Sequence, residues 1–129
     1  MLLPHGYDGW GPDHSSCRME RFLQLCNQDE VVPFDGQDYD NASVRKIMNM
    51  HVVYPSTAAN YFHLLRQQMR MPFRKPLVVV QSKKLLKVQK AASNIEDFGE
   101  NTQFLPLIAD QNPNLVAKDR VRKVILCSG

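Results

Sequence analysis

The stretch KPLVVVQS, residues 75–82, decides how this chain is read. Leu77, Val78, Val79 and Val80 run without interruption between Pro76 and Gln81. A strand with one face in water alternates apolar and polar residues, whereas an unbroken β-branched run belongs to a strand covered on both faces of a parallel sheet. Parallel neighbours need long crossovers, usually helical, and the residues upstream supply one. MHVVYPST, residues 50–57, is a shorter β-branched run stopped by Pro55, with Ser56 or Thr57 placed to cap a helix. AANYFHLLRQQM, residues 58–69, then has helical spacing and must stop before Pro72. Ala58, Tyr61, Phe62, Leu65 and Met69 share one face, predicted to be the buried apolar one, while Ala59, His63, Arg66 and Arg70 share another. Further upstream, Met19, Phe22, Leu23 and Cys26 fall at i, i+3, i+4 and i+7, which predicts a helix over 16–27 with Ser15 or Ser16 as its cap. The order helix, strand, helix, strand predicts an α/β fold with a parallel sheet, and places chemistry outside the carboxyl ends of its strands.

One such end carries an unusual loop. PHGYDGWGPDHSS, residues 4–16, follows the apolar stub Leu2–Leu3 and holds two Pro, three Gly, two His, a Tyr and a Trp. A plain connector needs one Gly or Pro, so this loop is expected to hold a site. Gly6, Gly9 and Gly11 reverse the order of a dinucleotide fingerprint, and no phosphate-loop motif occurs. His14, followed by Ser15 and Ser16, stands where the positive end of a helix would favour an anionic group beside an imidazole. The plainer alternative for His14 is a capping or packing role, and for His5 a structural turn.

The bulk properties narrow the class. At 129 residues the chain suits one domain or pieces of two, and no apolar run approaches the length of a membrane helix. No secretory or transit pattern opens it. Cys17, Cys26 and Cys127 fit neither a disulfide framework nor a zinc pair, which predicts buried thiols in a reducing compartment. The net charge of +3 is uneven: residues 64–90 hold eight Lys and Arg and no acid. Nucleic-acid binding wants aromatics free to stack beside such charge, yet only Phe73 is interleaved, so a solvated face or a contact with an acidic neighbour is expected instead. NQDEVVPFDGQDYDNAS, residues 27–43, reads as an acidic surface insertion ending in a helical turn near VRKIM. A calcium loop counted from Asp38 would need Gly where Ser43 stands and Glu where Asn49 stands. Residues 87–102 turn polar and mark a boundary, after which TQFLPLIAD (102–110) and VRKVILCSG (121–129) predict two more strands.

Three stretches, LLPHGYDGWGPDHSSCRMERFLQLCN, VVYPSTAANYFHLLRQQM and FRKPLVVVQSKKLLK, resemble the thiamine-diphosphate-dependent first components of 2-oxoglutarate dehydrogenase complexes. FLPLIADQNPN and VRKVILCSG resemble the start of the C-terminal domain of the same enzymes. The resemblance implies that residues 1–88 form the later part of a transketolase-like pyrimidine-binding domain, and residues 89–129 a linker and the first strands of a second α/β domain. It implies oxidative decarboxylation of 2-oxoglutarate with thiamine diphosphate and magnesium, in a homodimer that passes a succinyl group to the lipoyl domain of a dihydrolipoyl succinyltransferase. The setting is the mitochondrial matrix in a eukaryote or the cytoplasm in a bacterium. His14 inherits a hydrogen-bonding or proton-transfer role, with Ser15, Ser16 and His5 in the pocket wall. Ala58 stands where the family has Pro, and Gln67 where it has Arg. The family's metal motif is absent and its cofactor-activating Glu falls before residue 1, so the isolated chain is expected to bind no cofactor and to be inactive. Two other readings are a 2-oxoadipate dehydrogenase component and a free-standing interaction module with a transketolase-like half-fold.

Overall fold

The computed structural model describes residues 1–5, 11, 16–27, 48–110, 114, 116–117 and 120–125. Residues 28–47, with the expected helical turn over 44–47, and Cys127 lie outside them. Three parallel strands, β1 (Leu2–Pro4), β2 (His51–Val53) and β3 (Leu77–Gln81), form a sheet in the order β1-β3-β2. The unbroken apolar run therefore holds the centre, as its composition requires. Leu3 registers with Val80 on one side and Val52 with Val78 on the other. Val78, Val79 and Val80 are only 3–4% exposed and form most of the apolar core. The ladder extends to Met1, whose carbonyl accepts from Val79 N at 2.8 Å.

The connection from β2 to β3 is helical, over Ala58–Arg70, here called α2. Its cap is Thr57, whose extended backbone lets Oγ1 accept from Asn60 N at 3.2 Å. Thr57→Ala is expected to cost about 1 kcal/mol, read as a lower urea midpoint with an unchanged slope. The helix stops at Arg70 and Met71 turns extended ahead of Pro72.

The buried side of α2 is the opposite of the one expected from its apolar residues. Ala59, Asn60, His63 and Leu64 are buried, whereas Phe62, Leu65 and Met69 are 43%, 44% and 70% exposed. At about 100° per residue these two sets lie on opposite sides of the cylinder. The inversion has a hydrogen-bonding cause, because the buried polar residues are engaged by main-chain groups further along the chain. Asn60 Nδ2 donates to Leu105 O at 3.0 Å, and Asn60 Oδ1 accepts from Leu105 N at 2.8 Å. His63 Nε2 lies 2.7 Å from Asp97 O. Arg66 Nη2 donates to Thr102 O.

The same bonds correct a second expectation. Residues 102–110 are not a strand: they run irregularly, and the main-chain groups of Thr102 and Leu105 that a ladder would use are held by α2. Residues 121–125 are likewise irregular and exposed, and no described strand pairs with them. Between β3 and this segment the polar stretch makes three short 3-10 turns, at Leu85–Lys87, Gln89–Ala91 and Ile95–Phe98.

The first helix, α1, spans Met19–Gln24 rather than 16–27. Its N-cap is Arg18 in a left-handed conformation, with φ of 48°, and no side chain caps it. Capping by Ser needs an extended backbone one residue ahead of the first turn, and Ser16 stands two residues too early. Beyond α1, Asn27 and Asn49 bond reciprocally, each backbone N–H donating to the other's Oδ1 at 3.1 and 3.0 Å. Asn49 Nδ2 adds a bond to Leu25 O at 2.8 Å. This clasp brings Asn27 and Asn49 together on either side of the acidic insertion. Cys17 and Cys26 are free thiols and half-buried, so the expectation of buried thiols holds only in part.

Candidate functional site

The three strands end at the same edge of the sheet, where the residues that follow each apolar run are brought together. After β1 comes His5, 7% exposed, whose backbone N–H extends the ladder to Gln81 O at 3.2 Å. After β2 comes Tyr54, whose ring meets the His5 imidazole edge-on, with centroids 5.5 Å apart and planes at 74°. At the end of β3 stand Gln81 and Ser82, 7% and 2% exposed, and Ser82 Oγ accepts from Leu85 N at 3.2 Å. Uncharged donors, acceptors and aromatic faces thus converge outside the carboxyl ends of parallel strands, the place where α/β sheets bind ligands.

Two clefts open beside this edge. One, of about 540 Å³, lies between β1, the end of β3 and the turn that carries Lys83, Lys84 and Lys87. The other, of about 290 Å³, lies between the start of α2 and Ser82.

The residues singled out in the sequence fare unequally. His5 is at the edge, buried against Tyr54. Ser16 is exposed and lies ahead of α1 without capping it. His14 and Ser15 lie outside the described residues. Gly11 is exposed, and a Cβ there would meet nothing within 4 Å, so sterics do not demand glycine at that point. Tyr54, Gln81 and Ser82 were not singled out, although the rule that chemistry gathers after parallel strands marks the residue following each apolar run.

The basic stretch is partly structural. Arg74 Nη1 donates to Met71 O at 2.6 Å and Phe73 O at 3.0 Å. Lys75 Nζ donates to Met48 O and sits 4.8 Å from the Phe73 ring centroid. With Arg66 on Thr102 O, these cations close loops rather than form one surface, while Lys83, Lys84, Lys87 and Lys90 are exposed.

Compared with known proteins, residues 1–89 match the family described as "Transketolase, pyrimidine binding domain". The chain belongs to the transketolase pyrimidine-binding domain family. The parallel sheet with its helical crossover agrees with that membership and with the α/β fold expected from the sequence. All 129 residues of this pyrimidine-binding chain also align with longer proteins. It is 50% identical to the "2-oxoadipate dehydrogenase complex component E1" of Rattus norvegicus, of which it spans 13%. It is 43% identical to the "2-oxoglutarate dehydrogenase E1 component" of Rickettsia felis, of which it spans 11%. It is 42% identical over 132 aligned positions to "2-oxoglutarate dehydrogenase, mitochondrial" of Dictyostelium discoideum, of which it spans 13%. The resemblance read from the loop and strand motifs is therefore borne out across the chain.

Proposed function

We propose that this chain supplies part of the substrate pocket of a thiamine-diphosphate-dependent 2-oxo acid dehydrogenase, the first component of a complex that passes an acyl group to a lipoyl-bearing acyltransferase. The observation that carries the reading is the alignment of every residue with such components at 42–50% identity. On this reading residues 1–88 are the later part of the pyrimidine-binding domain, and residues 89–129 lead into the next domain. His14 donates a hydrogen bond or moves a proton on the substrate side, Ser15 and Ser16 shape the wall, and His5, sealed against Tyr54, forms its base.

The described residues do not fit the metal end of the cofactor. Magnesium bound to diphosphate wants clustered oxygen ligands, and among the described residues no three His, Cys, Asp or Glu side chains converge. Those contacts are assigned to other parts of the enzyme, together with the carboxylate that activates the cofactor. On this reading the chain alone is expected to be inactive and to bind no thiamine diphosphate, which isothermal titration of the cofactor with magnesium into the 129-residue chain checks. The whole protein is a homodimer, placed in the mitochondrial matrix in a eukaryote and in the cytoplasm in a bacterium.

The substrate is a 2-oxo dicarboxylic acid. 2-Oxoglutarate, with succinyl transfer, is one assignment, and 2-oxoadipate is the other, supported by the 50% identity to a 2-oxoadipate component. Decarboxylation of the two acids by the complete enzyme, compared as kcat/KM, separates them: a tenfold preference for either assigns the substrate, and turnover of neither rejects the reading. A free-standing interaction module predicts covered apolar surfaces. Instead, α2 exposes Phe62, Leu65 and Met69, and Leu2 on an outer strand is 52% exposed. Those surfaces support a piece that packs against more protein.

A further inference from the structure

The polar face of α2 does more than fill space beneath the segment that follows the sheet. Four residues of one helical face reach the main chain or a hydroxyl of residues 93–105. Ala59 N donates to Ser93 Oγ at 3.0 Å, Asn60 makes its paired bonds to Leu105, His63 Nε2 bonds Asp97 O, and Arg66 bonds Thr102 O. A carbonyl only accepts, so His63 carries its proton on Nε2. Its Nδ1, buried in a residue 3% exposed, has no hydrogen-bond partner among the described residues. All but one of these contacts end on main-chain atoms of the segment, so they grip its backbone rather than read its sequence.

Apolar burial of this attachment is partial: Phe104 and Pro106 line a cavity with Val52, Val53, Leu64 and Leu77, while other apolar residues of the segment stay open to solvent. Phe98 meets Phe62 edge-on with centroids 5.4 Å apart, but Phe62 itself is 43% exposed. Ile95, Leu105 and Leu107 are 79%, 44% and 82% exposed, and a cleft of about 440 Å³ lies between the helix face and the segment. The segment also has its own local order. Asn94 and Asp97 form a reciprocal capping box, and Thr102 Oγ1 donates to Gly99 O at 2.6 Å. A piece that is internally ordered, only partly buried and held by a few side-chain donors opens as a unit at lower cost than the sheet beneath it.

We infer that residues 93–105 form a detachable strap, seated by the Asn60–His63–Arg66 face of α2 and released without unfolding the sheet. The inference does not rest on the proposed enzymatic role, since it concerns only contacts within the chain.

Hydrogen–deuterium exchange on the full chain tests it, comparing the peptide covering 93–105 with that covering β3. In Asn60→Leu and His63→Phe, which keep volume and remove the bonds, strap amides are expected to exchange at least tenfold faster, with β3 amides within twofold of the unaltered chain. His63→Gln keeps an N–H donor near the Nε2 position and is expected to leave strap exchange within about threefold. Acceleration of strap and β3 together would show one cooperative unit and overturn the inference. So would strap exchange unchanged in both bond-removing variants, or His63→Gln behaving like His63→Phe.

Discussion

Val79→Asp abolishes the cooperative unfolding transition of this chain, as the centre of the sheet requires. Val79 is 4% exposed and registers with Leu2 of β1 on one side and Val53 of β2 on the other. A carboxylate there has apolar strand neighbours on both sides, and stranding a buried charge costs several kcal/mol, comparable with the whole stability of a small domain. Val79→Ala removes two methyl groups and leaves the ladder intact, at a cost of roughly 2 kcal/mol. Thermal scans by circular dichroism separate the two: a sigmoidal melt at lower temperature for Ala, and none for Asp. An Asp variant melting at the original midpoint would remove β3 from the core.

The second large effect concerns chemistry. His14→Ala, made in a full-length enzyme carrying these 129 residues, is expected to lower kcat for 2-oxo acid decarboxylation by about 10²-fold or more, the range for losing a proton-transfer group. Its melting temperature should move by no more than a degree or two, because a residue recruited for chemistry contributes little to the core. Activity within a few fold of the unaltered enzyme would return His14 to a capping or packing role. A fall in activity matched by a fall in stability would point the same way.

Much of this architecture was legible because it depends on local rules. The run Leu77–Val80 announced a strand covered on both faces, and β3 is the centre of the sheet. Pro55, Thr57 and Pro72 bracketed α2, since a missing N–H and a cap act within a turn of their own position. The loop motif from Pro4 to Ser16 and the strand motifs pointed to the right family, and His5 proved to sit at the carboxyl edge of the sheet. The candidate site was less legible. Tyr54 and Ser82 join that edge from separate strands, and only the register places them there.

What failed in the sequence reading shares one physical cause. Helical periodicity reports which residues share a face of α2, but not which face finds partners. The apolar stripe of Phe62, Leu65 and Met69 stayed exposed because Asn60, His63 and Arg66 hydrogen-bond to main-chain groups more than thirty residues away. Residues 102–110 have the composition of a strand, yet the carbonyls of Thr102 and Leu105 and the amide of Leu105 are engaged by that helix instead of a ladder. The parallel α/β sheet, the limits of its helical crossover and the family are all consequences of local pattern. Which side of α2 is buried and where the later segment is held depend instead on contacts between distant residues. Hydrogen bonds between distant residues leave no periodic trace in the chain.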